Sequence, residues 1–571
     1  MPRRGLWLAF LLALLVGGGL GGLQLAGRVP DALQEFEGKT LDWRFRLRGA
    51  RPAPATVAIV AIDDRSLAQL GRFPPPRAAI AEAVERLGAA GAKTVALDLL
   101  LLEREQPSDG SGLSPGDLAL RDALLRHGGS VLATALLFGA VETPLDEERL
   151  AALGRAAFRV VERPPEGALA VPRAAGALLP IPPFLRAASL GHVTLLLDPD
   201  GAPRRLHLAV DLAGRLLPAF ALEAARLQAR LARDGLRLSL DGTLAFGPRR
   251  LALGEGLALP LDWYGGAGTV ATHSLADLLE GRVAPEALAG RVVLLGATAL
   301  GVGDAFPTPF AQALPGVELL ATAVANLLAP ASLERPAGLL RWEALACVLA
   351  ALAAFALANL PRPRLAAFVT LAGVLVWPTV AHLLFLEAAL WVNVTLPSLA
   401  YALTAVLVAG GRTAYERRLR REAERQRGNL ARYVSPLMAE QLAEEDEPSF
   451  DRRAQDAAIL FFDLAGFTAL SEAEGPGATA AFLKDFHQRL EEVAARHAGF
   501  VEQYLGDGAM IIFGLPQPQE NDPVRALACA RDLLVTLGRW RPALRTRAGV
   551  HFGPVVIARL GCRSQAQVAA A

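Results

Sequence analysis

Three apolar runs crowd the middle of this 571-residue chain, at about Trp342–Leu360, Leu365–Leu386 and Ala389–Gly410. Each is close to the ~20 residues that a helix needs to cross ~30 Å of hydrocarbon. The link between the first two is Pro361-Arg362-Pro363-Arg364, the link between the second and third carries only Glu387, and an arginine cluster from Arg412 to Arg427 follows the third. Basic loops stay in the cytoplasm. A fourth apolar run, Leu6 to about Ala26, follows Arg3 and Arg4. It shows no A-x-A cleavage site and reads as an uncleaved anchor rather than a removed signal sequence. Four spans of alternating direction keep every basic flank inside and put residues 27–337 outside. Core helices of a soluble protein would leave the basic flanks unexplained.

Composition agrees. The chain is 53% apolar, with 58 Lys+Arg against 57 Asp+Glu, so a net charge of +1 argues for no nucleic-acid partner. Its three cysteines, Cys347, Cys529 and Cys562, lack CxxC spacing and imply neither a disulfide framework nor a zinc site. A transporter is poorly supported, because the spans carry little polarity beyond His382.

Residues 27–337 alternate strand and helix patterns. Val57–Asp63 reads as a buried strand, Arg77–Ala90 as a helix, Thr94–Leu102 as a strand, Asp117–Arg126 as a helix and Ser130–Phe138 as a strand. That order predicts an α/β domain with a parallel sheet. His192–Leu197 and Arg204–Val210, joined by the turn Asp198–Gly201, read as a hairpin. Ala219–Arg233 reads as a helix, Arg291–Leu295 as a strand and Gly316–Leu328 as a closing helix. Asp63, Asp64 and Arg65 end a strand where ligand sites often lie, but a helix cap or salt bridge is the favoured reading. Pro74–Pro76 reads as a rigid helix entry.

Several of these blocks resemble the type-two CHASE sensory domain: LDWRFRLRG (Leu41–Gly49), VAIVAIDDRSLAQLGRFPPPR (Val57–Arg77), GHVTLLLDPDGAPRR (Gly191–Arg205), RVVLLGATALGVGDAFPTPF (Arg291–Phe310) and PGVELLATAVANLL (Pro315–Leu328). The resemblance implies an extracytoplasmic sensor of a ligand that the sequence does not name.

Past the membrane, Tyr415–Leu442 is dense in Arg, Glu, Ala and Leu and reads as a linker helix. The strand Ala457–Phe462 delivers Asp463, followed by Gly466-Phe467-Thr468. A second strand, Phe500–Leu505, ends in Gly506-Asp507-Gly508. If the strands are neighbours the two carboxylates converge, and paired carboxylates suit magnesium shared with substrate phosphates. His551, in GVHFGP, reads as a packed histidine rather than a catalytic base.

The blocks ILFFDLAGFTALSE (Ile459–Glu472), GFVEQYLGDGAMIIFGLP (Gly499–Pro516) and AGVHFGPVVIARLG (Ala548–Gly561) resemble a class III adenylate/guanylate cyclase, and Asn429–Leu442 resembles the segment that precedes such domains. The resemblance implies an α+β ferredoxin-like domain that converts ATP, or less favourably GTP, to a cyclic 3′,5′-monophosphate and works as a homodimer. It implies two Mg²⁺ or Mn²⁺ ions per site on Asp463, Asp507 and the Leu464 carbonyl, phosphate contacts from Gly466, Phe467 and Thr468, and Gln503 where members usually read the purine with Lys. The chain reaches Ala571 before the family's G-D-x-V-N-x-x-x-R-like block, which supplies the transition-state Asn and Arg, and its base-reading position falls near Val568 or Ala569. Poor activity of a 571-residue homodimer is therefore expected, with an incomplete sequence as the favoured cause. The alternative is a non-catalytic receptor that binds nucleotide or a partner.

The resulting expectation is a multi-pass protein of the bacterial inner membrane with a C-terminally incomplete cyclase domain. Its divisions are a tip and anchor (1–26), sensor (27–337), three further spans (338–410), linker (411–449) and cyclase domain (450–571).

Overall fold

The computed structural model describes residues 3–105, 112–139, 146–165, 167–299, 301–430, 453–515, 517–562 and 565–570. The chain forms two compact units, Met1–Tyr415 and Glu416–Ala571.

The first unit is built on a seven-stranded sheet, ordered Ala271–Ser274, Val57–Ile62, Val292–Ala297, Thr94–Asp98, Ser130–Leu137 and Gly176–Leu178, with Ser189–His192 also pairing Ser130–Leu137. Every pairing is parallel except that of Gly176–Leu178. All six residues of Val57–Ile62 and of Val292–Ala297 are buried, as expected where helices cover both faces of a parallel sheet. Val57, Ile59 and Ala61 pack with the helices Phe220–Gln228 and Gly316–Leu328. Ala58, Val60 and Ile62 point the other way, into the helices Arg77–Ala89, Pro115–His127 and Leu275–Leu279. The α/β expectation is met.

Three local expectations change. Thr94–Leu102 is a strand only as far as Asp98, and Ala219–Arg233 is helical only over Phe220–Gln228. The hairpin around Asp198–Gly201 does not form. The turn closes, with the Gly201 amide donating to Asp198 O at 2.8 Å. Its flanks go elsewhere: Ser189–His192 joins the main sheet and Arg205–His207 pairs with Ala258–Pro260. The reason is Arg204, buried at 2%, which donates to Asp198, Asp200 and Asp42, the last on the helix Asp31–Arg48. The acidic turn wraps a guanidinium instead of closing a ladder. Asp63 is a helix cap: it accepts from the Ser66 amide at 2.9 Å at the start of Asp64–Leu70.

Three helices are long and apolar enough to cross a membrane: Arg4–Leu25, Leu339–Ala358 and Pro363–Glu387. Outward-facing Phe368 and Leu371, exposed at 69% and 74%, suit a lipid surround. Arg4–Leu25 lies against Leu339–Ala358 through small residues. A Cβ on Gly17 would stand 2.7 Å from Val348 Cα, and one on Gly21 2.8 Å from Ala344 O. This is the close approach that a small-xxx-small pattern permits between membrane helices.

The fourth expected span, Ala389–Gly410, is not among those three. Helix begins only at Thr395, in Thr395–Leu430, because residues before it form a clasp around two buried carboxylates. Glu37 accepts from the amides of Val394 (2.8 Å) and Thr395 (3.0 Å), capping the helix start, and also from Thr395 Oγ1, Trp391 Nε1 and Arg44 Nη2. Glu343 accepts both Arg335 Nη1 and Nη2 at 2.9 Å, the Asn393 amide at 2.6 Å, and Gln24 Nε2. Gln24 near the end of Arg4–Leu25, Glu343 near the start of Leu339–Ala358 and the start of Thr395–Leu430 are thus pinned to one polar knot. At the other end Arg412 Nη1 donates to the carbonyls of Ala358 (3.0 Å) and Leu360 (2.9 Å).

The second unit carries an antiparallel sheet ordered Phe500–Tyr504, Gly508–Phe513, Arg453–Ala465, Arg545–Cys562 and Gln565–Ala570. The helices Phe467–Arg496 and Asp522–Trp540 cover one face, where Leu460, Phe462 and Leu464 pack with Phe486, Leu490 and Leu533. Strand, helix, two strands, helix, strand is the ferredoxin-like order. Of the linker segment Asn429–Leu442, residues 431–442 lie outside the described residues.

Candidate metal and nucleotide site

Strand alternation places the site. Along Arg453–Ala465, the residues between the buried Leu460, Phe462 and Leu464 face the side that none of the described helices covers, so Phe461 is exposed at 48% and Asp463 is exposed. Asp463 stands opposite Gly508 on one neighbour and Arg547 on the other. Asp507, next to Gly508, therefore adjoins Asp463, and the Leu464 amide donates to Asp507 O at 3.2 Å. The sequence-predicted pair is brought together.

The turn that presents Asp507 is tight. The Leu505 amide donates to Gly508 O at 2.7 Å, Gly506 has φ of 75°, and His487 Nε2 lies 2.9 Å from Gly506 O. His487 also packs against Tyr504 in a tilted arrangement, with ring centroids 4.3 Å apart. Burial, with Glu491 nearby, pushes the Tyr504 phenol up to about 12, so it stays protonated. Gly508 is required by contact: a Cβ there would meet Phe462 O at 2.7 Å.

Asp463 and Asp507 take no side-chain hydrogen bond or ion pair among the described residues. Two unpartnered carboxylates, Asp463 on the strand Arg453–Ala465 and Asp507 on the adjoining turn, fit a hard divalent cation. Among the described residues no group of three or more His, Cys, Asp or Glu is placed to hold one, so the remaining ligands would have to be substrate oxygens, water or the Leu464 carbonyl. The Leu464 side chain is buried at 2% and packs in the core.

Gly466, with φ of 87°, turns the chain into the helix Phe467–Arg496, whose first turn holds no acidic residue. Phe467 stacks on Phe482 at 6.1 Å, so only its backbone is available to a ligand, whereas Thr468 is exposed. Gln503 is exposed and in register with Met510, which pairs with Phe461, so Gln503 shares the open face with Asp463. His551, expected to be packed, is exposed opposite Ile459. Among the described residues no helix covers one face of the strand carrying it, which its local sequence does not reveal.

Arg547 escaped the sequence reading. Its signal was its place just ahead of AGVHFG, but its relevance comes from register: it is exposed and directly across the ladder from Asp463.

Residues 9–358, more than half the chain, match the CHASE2 domain, and residues 451–567 match the adenylate and guanylate cyclase catalytic domain. Among curated relatives, the uncharacterized proteins Rv1319c and Rv1318c of Mycobacterium tuberculosis (strain ATCC 25618 / H37Rv) are each 29% identical over 145 residues, covering 25% of this chain and 27% of theirs. The chain thus spans about a quarter of the length of those relatives. Among solved structures, the guanylyl cyclase Cya2 is 26% identical with a TM-score of 0.19, covering 21% of this chain and 65% of that one. The adenylyl cyclase CyaB from P. aeruginosa is 23% identical with a TM-score of 0.20, covering 21% and 68%. The chain belongs to the CHASE2-domain family and carries, after that domain, a catalytic domain of the class III adenylate and guanylate cyclases.

Proposed function

We propose that this protein is a transmembrane receptor cyclase, converting ATP, or less favourably GTP, to the cyclic 3′,5′-monophosphate and pyrophosphate under control of an extracytoplasmic signal. The observation that carries the reading is the register of Asp463 with Gly508, which joins the two carboxylates at the edge of an exposed sheet face.

Asp463 and Asp507 would hold two Mg²⁺ or Mn²⁺ ions, with the Leu464 carbonyl as a further ligand. Such ions, when bound, make the ribose 3′-hydroxyl more acidic and offset charge on the phosphates. The two carboxylates fix where the triphosphate lies. The amides of Gly466, Phe467 and Thr468 point a helix N-terminus at its phosphates, and Arg547 adds a cation across from Asp463. As the 3′-oxygen bonds to the α-phosphorus, the bond to pyrophosphate breaks and the hydroxyl proton leaves. Gln503 would read the base edge with one donor and one acceptor group. The open face, with Phe461 half exposed, suits a second copy of the domain, so the active form is proposed as a homodimer.

For topology we keep four crossings, the division at 27–337, 338–410, 411–449 and 450–571, and an inner-membrane location. Support for the fourth crossing is geometric. Leu339–Ala358 starts beside Asn393 and ends beside Arg412, through Glu343 and Ala358 respectively. Thr395–Arg412 therefore runs the same depth in the same direction, ~27 Å at 1.5 Å per residue. With four crossings the sensor lies outside, and the arginine cluster and catalytic domain lie inside.

The test is cyclic-nucleotide formation by membranes carrying the protein, with MnATP and MnGTP. Product that disappears in Asp463→Ala is expected. Nucleotide binding without product would instead favour the non-catalytic receptor, a reading that Gln503 motivates.

A further inference from the structure

We propose that the CHASE2 domain binds a small organic cation with an apolar body, in a cavity at the carboxyl edge of its parallel sheet, with Asp98 as the counter-ion. The cavity measures about 480 Å³, a volume suited to a small molecule and far larger than a bare ion needs. Asp98 ends the strand Thr94–Asp98, and Ala297 ends the neighbouring Val292–Ala297; both line it. The carboxyl edge of parallel strands is where open α/β sheets take their ligands.

The wall decides the chemistry. It is largely apolar, with Phe73, Leu100, Leu136, Leu195 and Phe306 among its residues. Among the described residues its only ionisable groups are two carboxylates, Asp98 and Asp304. Asp98 takes no hydrogen bond or ion pair from any described residue. Burial and the nearby Asp304 push its carboxyl up to about 7, as expected of a carboxylate without a partner in a mostly apolar wall. An ammonium group would restore its charge and relieve that desolvation, while the apolar body covers the leucine and phenylalanine surface. An anion would meet two like charges, and a neutral solute would leave Asp98 unpaired. A metal ion would find two carboxylates and, among the described residues, no cluster of three donors.

The cavity also touches what leads toward the membrane. Gly316, Val317 and Leu320 line it, and their helix, Gly316–Leu328, is followed along the chain by Leu339–Ala358. The biological meaning of the site rests on the receptor reading above, but binding at it does not.

The test is calorimetry on the full chain in lipid nanodiscs, with 2-phenylethylamine as probe and 2-phenylethanol as its neutral counterpart. The amine is expected to bind wild type at least ten times more tightly than the alcohol. Asp98→Asn should remove that preference while leaving the melting temperature within a few degrees. Leu100→Trp, which fills the cavity and leaves Asp98 in place, should abolish binding of both. Equal binding of amine and alcohol, unchanged amine binding in Asp98→Asn, or an amine Kd weaker than about 10 mM would overturn the proposal. So would displacement of the amine by magnesium chloride at constant ionic strength, which would assign the site to a metal. No nucleotide is present, so failure here leaves the cyclase reading intact, and a failed cyclase assay leaves this one intact.

Discussion

Glu37 and Glu343 are exposed at 6% and 1%, and each accepts donors from several parts of the chain: arginines, backbone amides at the start of a helix, an indole and an amide side chain. Asp463 and Asp507 are the reverse, reachable by solvent and without a side-chain partner among the described residues. A buried carboxylate persists only where hydrogen bonds and counter-charge replace water. An exposed one that the fold leaves unpaired is free to hold something the fold does not supply. On the proposed function, the contrast separates charge used to build the chain from charge kept for chemistry.

The contrast breaks first if removing a knot carboxylate costs little. Glu37→Ala should destabilise the membrane-proximal unit by about 3–5 kcal/mol, the usual cost of leaving a buried cation and several amides unpartnered, read as loss of the folded form in thermal melts in nanodiscs. Glu37→Gln, which keeps part of the cap, should cost less. Asp463→Asn and Asp507→Asn should do the opposite: melting unchanged, and Mn²⁺-dependent turnover down by about 10²–10³-fold, the scale for losing one group that stabilises transition-state charge.

The next effect sharpens the comparison with a buried group that the fold keeps uncharged. His192 is fully buried, and burial with His207 nearby pushes its imidazole down to about 3. A depressed histidine stabilises above the unfolded value near 6.5, and that contribution is lost as pH falls from there toward 3. Stability should drop by about 1.4 kcal/mol per pH unit per proton in that window. His192→Asn should flatten the slope in urea melts between pH 7 and pH 5. The smallest expected effect is at Gln503, the proposed base-reading residue. Gln503→Lys should shift the ratio of ATP to GTP turnover about five-fold, through KM more than kcat, the scale of one hydrogen bond.

Much of this was legible locally. VAIVAI and VVLLGA announce strands buried on both faces, because a run without polar residues cannot have a wet side. Asp463 and Asp507 were readable because each follows an apolar run, although the strand expected to end at Phe462 continues through Asp463 to Ala465. What failed was non-local. The DPDG turn predicts a hairpin, but Arg204 reaches Asp42, 162 residues away. Ala389–Val394 is as apolar as the helix after it, and hydropathy cannot see that Glu37 caps at Thr395. Arg547 adjoins Asp463 through register alone, and the Asp98 cavity is assembled from segments that share no sequence signal.

The proposed topology puts the two halves of this contrast on opposite sides of one membrane. That depends on Thr395–Arg412 crossing, since three crossings would put the catalytic domain on the sensor's side. Limited proteolysis of right-side-out and inverted vesicles, followed by antibodies to each domain, tests it directly. The account predicts cleavage of residues 27–337 only in right-side-out vesicles and of 450–571 only in inverted ones. Cleavage of both domains from the same side would contradict it.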